Sequence, residues 1–93
     1  MREYIEVDSK VLFPVFVHVL DEDSVMQFDD VQALRHLEPI DVENGEYEAW
    51  DAHGRVLHLT ASCSGMGRIK IDVSDRWADN GFMSDLRLRA SRR

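Results

Sequence analysis

The hydrophobic positions change period several times along the chain, and each change marks an element. Val11–Leu20 is nearly all apolar, rich in β-branched and aromatic residues, and Asp21-Glu22-Asp23 ends it. β-branched side chains lose rotamer freedom in a helix and pack well on a pleated surface, so the run predicts a strand. Both parities are apolar: Leu12, Phe16, His18 and Leu20 face one way, Phe13, Val15, Val17 and Val19 the other. Such a strand belongs inside a sheet. Pro14 has no N–H to give a ladder, so the regular strand is expected from Val15.

Asp21–Ser24 reads as a turn and Val25–Phe28 as the second strand of a hairpin. Asp29 or Asp30 then suits a helix N-cap. Val31, Leu34 and Leu37 recur at three-residue spacing, and Pro39 stops the helix at Leu37 or Glu38. After a turn at Asn44-Gly45, three alternating stretches follow. They are Glu46–Trp50, Arg55–Ser62 and Arg68–Val73, with turns at 51–54 and 64–67. This segment predicts a three-stranded meander with one wet face. Residues 74–93 are less patterned; Ser84 is placed as the cap of a short helix from Asp85, and 87–93 as a frayed basic tail. Tyr4-Ile5-Glu6-Val7 alternates poorly and yields no assignment. The expected fold is α+β: an antiparallel sheet of about five strands, with one helix packed on a face and a short C-terminal helix.

Composition bounds the class. The 93 residues make one domain, 1–93, and the 44% hydrophobic fraction is globular rather than disordered. A single cysteine, Cys63, excludes an internal disulfide. The apolar run Val11–Leu20 falls short of the roughly 20 residues a membrane helix needs, and the start lacks a signal-peptide pattern. A cytoplasmic, bacterial-type protein is expected.

Charge adds more. The net charge is −7, which as a whole disfavours phosphate and anionic lipid. Residues 21–51 hold eleven acids and one base, Arg35, whereas 87–93 hold four arginines and no acid. The chain is therefore electrically dipolar along its length.

Motifs with chemistry are weak. Cys63 and Arg68 are separated by four residues, where the tyrosine-phosphatase loop has five, and a strand rather than a helix follows. Gly65-Met66-Gly67 lacks the further residues of a dinucleotide or P-loop fingerprint. No histidine pair has a metal-ligand spacing, though His18 and His58 on separate strands, with Asp72 and Cys63, form the alternative metal, ligand or catalytic set. Asp21-Glu22-Asp23 lacks the spacing of a calcium loop. No cofactor is expected. Arg87, Arg89, Arg92 and Arg93 are the residues available for nucleic acid, too few for strong binding on so acidic a chain.

What remains is surface. The leading expectation is a non-catalytic protein-interaction domain that docks a basic partner on an acidic face. That face comprises Asp41, Glu43, Glu46 and Glu48, with Trp50, on the strand parity of Glu46 and Glu48, as its anchor if exposed and as a core residue at the strand end otherwise. Self-association is a further expectation, by tail against acidic face or by meander edge against meander edge. In size and acidity the chain resembles bacterial immunity proteins and antitoxin-like inhibitors, but no motif carries the likeness and no residue is transferred.

Overall fold

The computed structural model describes residues 4–62 and 68–91. Its strands are β1 (Tyr4–Val7), β2 (Val15–Val19), β3 (Ser24–Phe28), β4 (Tyr47–Trp50), β5 (Arg55–Ser62) and β6 (Arg68–Trp77). Its helices are a 3-10 turn at Ala33–His36, α1 (Pro39–Glu43) and α2 (Asn80–Ser91). The strands form one mixed sheet in the order β1-β6-β5-β4-β2-β3. The fold is α+β, and the sheet has six strands rather than about five. The sixth is β1, which lies parallel to β6 with Ile5 opposite Ile69 and Val7 opposite Ile71. All other pairings are antiparallel.

β2 lies inside the sheet, between β4 and β3, and both its faces are covered. Val15 and Val17 are fully buried on one face, in a cluster with Ala49, Leu57, Ile69 and Ile71. The segment between β3 and β4 closes that face with Leu34, Leu37 and Val42. Phe16 is buried on the other face with Val25 and Trp50, and α2 closes it with Met83, Leu86 and Ala90. Those three helical residues follow the i, i+3, i+7 stripe of an amphipathic helix.

Three expectations about helices need correction. The segment after β3 is not one amphipathic helix. Asp30 Oδ1 accepts the Ala33 N–H at 2.9 Å and caps a single 3-10 turn, and Val31 stays exposed. Pro39 ends that turn by holding Glu38 in extended backbone, and it also begins α1, at a position where its missing N–H costs nothing. The C-terminal helix starts earlier than Ser84. Asp79 Oδ1 accepts the Phe82 N–H at 2.8 Å, which leaves Ser84 inside the helix. Residues 87–91, expected in a frayed tail, are the last turns of α2; 92 and 93 lie outside the described residues, as do Cys63 and the turn at 64–67.

β4 pairs with β5 over Ala49↔Leu57 and Trp50↔Val56. Toward the Ser62 end the two strands part around a cleft of about 230 Å³, lined by Tyr47 and Glu48 on one side and His58 and Leu59 on the other.

Among the described residues two glycines hold left-handed turns, Gly45 at φ 73° before β4 and Gly54 at φ 89° between β4 and β5. A Cβ on Gly45 meets nothing within 4 Å, whereas one on Gly54 lies 3.1 Å from Met83 Cγ and 3.2 Å from the Ala78 carbonyl. Gly45→Ala is therefore expected to cost only the left-handed backbone penalty, about 1–2 kcal/mol. Gly54→Ala should cost clearly more, because it also pushes on the α2 junction. Urea midpoints of the two variants check this, and equal losses would show that Met83 yields freely.

Candidate functional site

The acidic residues of 21–51 divide by what the backbone does with them. Asp51 is buried, and its Oδ1 accepts the N–H groups of His53 at 2.9 Å and Arg55 at 3.0 Å, which shapes the β4–β5 turn. Asp30 caps the 3-10 turn, and Asp29 Oδ1 accepts Gln27 Nε2 at 2.8 Å. These acids are spent on local geometry.

A second group gathers in a cleft. The Leu20 N–H bonds the Glu46 carbonyl at 2.9 Å, which brings the β2–β3 turn beside the start of β4. Asp21 and Glu22 of that turn, Glu38 and Asp41 around the start of α1, and Glu46 line one cleft of about 320 Å³ with His36, Tyr47, Ser24 and Met26. Among the described residues that line it, the cleft has five carboxylates and no Lys or Arg. Tyr47 braces one wall: its hydroxyl donates to Asp41 Oδ2 at 3.3 Å and accepts the Glu38 N–H at 3.4 Å. Burial pushes the Tyr47 phenol above its ordinary range, and the Asp41 charge adds to the push.

The expected docking residues therefore separate. Asp41 and Glu46 line the cleft; exposed Glu43 on α1 does not. Glu48 points to His18, with Oε1 3.7 Å from Nδ1. Trp50 is not the exposed anchor. It is 7% exposed and sits on the opposite face of the sheet from the main core, with the Phe82 ring centroid 4.9 Å from its own. Strand parity did put it opposite Ala49; α2 covers that face. Asp21, Glu22 and Glu38 complete the cleft, and spacing in the sequence does not associate them, because β2–β4 pairing brings them together.

The histidines are likewise apart. His18 is on β2 and His58 on β5, with β4 between them. His58 is exposed and stands opposite Asp72 on β6. Among the described residues no group of three or more His, Cys, Asp or Glu side chains is disposed to hold a metal ion. No helix of the described residues is long and apolar enough to cross a membrane.

Arg87 and Arg89, the two C-terminal arginines among the described residues, bind within the chain. Arg87 donates to the Ala52 carbonyl at 2.8 Å and lies over the Phe16 ring. Arg89 donates to the Asp23 carbonyl at 2.8 Å and to Asp23 Oδ1 at 2.9 Å. His18 Nε2 lies 2.8 Å from the same carboxylate oxygen, which can only accept. Asp23 thus ties α2 to the hairpin turn. On the edges of the meander, β2 pairs with β4, and β1 covers β6 over Arg68–Ile71 but not beyond.

No family model, no curated protein and no solved structure matches this chain.

The His18 hydrogen bond, and then Arg89, hold the Asp23 carboxyl below its ordinary value. A carboxyl lowered in the folded state stabilises the fold above its unfolded value and loses that contribution as pH falls through the folded one. Asp23 has φ 49°, a left-handed angle that asparagine tolerates. Asp23→Asn is therefore expected to lower Tm at pH 6, with the gap to wild type closing below about pH 4. Thermal melts across pH check this; a constant gap would place the effect in the turn and not in the charge.

Proposed function

We propose that this chain is a non-catalytic protein-interaction domain that docks a basic partner in the acidic cleft. One observation carries the reading. Five carboxylates from the β2–β3 turn, the start of α1 and the start of β4 converge on a cleft whose described lining residues include no lysine or arginine. Such a concentration of one sign raises the on-rate and specificity for a cationic partner more than it raises affinity. The cleft is open, so each ion pair forms in partly screened surroundings and contributes little alone. Its effect is collective and steeply salt-dependent. A lysine or arginine side chain entering beside Tyr47 meets carboxylates on several sides.

The test neutralises the cleft at positions outside the fold's hydrogen bonds. Asp21→Asn, Glu22→Gln and Glu46→Gln together should weaken binding of an oligolysine probe by roughly tenfold, from three exposed pairs at about 0.5 kcal/mol each. The salt dependence should flatten with it. Titration calorimetry or fluorescence anisotropy at two salt concentrations measures both. Unchanged affinity and salt slope would remove the cleft from consideration.

A further inference from the structure

We propose that the outer edge of β3 receives an extended strand of the partner, flanked by basic residues, whose lysine or arginine side chains reach the acidic cleft. The proposal rests on the docking reading and adds the mode of recognition.

The first observation is an open edge. β3 is the last strand of the sheet. Antiparallel neighbours alternate between residues that exchange hydrogen bonds and residues that turn them away. The Leu20 N–H bonds the Glu46 carbonyl, so the even residues of β2 serve β4. Val15, Val17 and Val19 then serve β3 at Phe28, Met26 and Ser24. Val25 and Gln27 consequently direct their N–H and C=O groups outward. Among the described residues no backbone group bonds to them there. The next outward carbonyl, that of Asp23, is occupied by Arg89.

The second observation is that β3, although short and packed by α2 on its Val25 face, carries no guard of an edge in its own sequence. Proteins blunt edges with charge, proline or bulges. β1 carries Glu6, and β6 beyond Ile71 carries Asp72, Asp75, Arg76 and a register shift opposite Arg55–Leu57. Ser24-Val25-Met26-Gln27-Phe28 has no charge, no proline and no bulge.

Charge then selects the occupant. Asp21, Glu22 and Asp23 precede β3, and Asp29 and Asp30 follow it. A second copy pairing through β3, in either direction, would set acids against acids, which destabilises a strand pair. A strand with lysines or arginines at both ends meets an acid at each. Ser24 and Met26 of β3 themselves line the acidic cleft, so the edge and the cleft are contiguous. Addition of a strand to an exposed edge gives affinity through main-chain bonds and specificity through its side chains.

The probe is a nine-residue peptide of alternating valine and threonine with two lysines at each end. Its binding should slow amide exchange at Val25 and Gln27 by roughly tenfold or more, one main-chain bond each. A peptide with glutamates in place of the lysines should not bind. Gln27→Pro removes one outward N–H and leaves the β2 ladder intact, a placement edge strands accept. It should weaken the lysine peptide by roughly tenfold, and oligolysine hardly at all. The wild-type exchange measurement stands even if that variant folds poorly. Unprotected Val25 and Gln27 amides with oligolysine still bound would overturn the edge and leave the docking reading. Loss of both peptides would overturn both. Equal binding of the glutamate peptide would overturn the choice of a basic strand.

Discussion

Everything in this fold follows from a strand that cannot be left wet on either side. Val15, Phe16 and Val17 are each at most 2% exposed, and they alternate between the two faces of β2. One face demands the chain between β3 and β4; the other demands α2. Phe16, Val25, Trp50, Met83 and Leu86 make up most of the second cluster. At roughly 1.5–3 kcal/mol for each large side chain, their burial is comparable with the whole net stability of a small domain, about 5–15 kcal/mol. α2 is therefore integral to the fold. The Arg87 and Arg89 contacts orient a helix that apolar burial has already placed.

The period-two stretches told most about the sheet. The apolar run appears as a strand from Val15, as its two apolar parities and Pro14 implied, and Val25–Phe28 and the meander appear as strands too, β5 with its bounds unchanged. β1 escaped because four residues with one acid carry too little pattern, and its parallel partner is distant in sequence. The helices escaped for a different reason. Val31, Leu34 and Leu37 have helical spacing, but only Leu34 and Leu37 are buried, and Pro39 splits the segment in two. Asn80-Gly81 reads as a turn in isolation, yet Asp79 caps it into α2.

The candidate site was half legible. The charge excess of 21–51 was plain in the sequence, and Asp41 and Glu46 of the expected face line the cleft. Which acids face one another depends on β2 pairing with β4, a contact between segments about thirty residues apart. Trp50 shows the limit of parity. Alternation separates it from Ala49 but cannot say that a helix from the far end of the chain will cover it. Acids already engaged in turns and caps, such as Asp51 and Asp30, carry the same formal charge in the sequence as those left facing solvent.

The parting of β4 from β5 gives the sheet a seam. Two residue pairs hold these strands together, against seven between β5 and β6. The ladder is thus nearly two three-stranded blocks, β1-β6-β5 and β4-β2-β3, kept in register at the seam by the packing of Val42, Ala49 and Leu57. Regions with few backbone bonds open at lower free energy than those with many. The open β3 edge and the α2 contacts with β2 and β3 belong to the second block, whereas α1, which carries Asp41 of the acidic cleft, packs on β5 and β6 of the first. The acidic cleft therefore straddles the seam, so the distance between its walls is set by how the two blocks are held together.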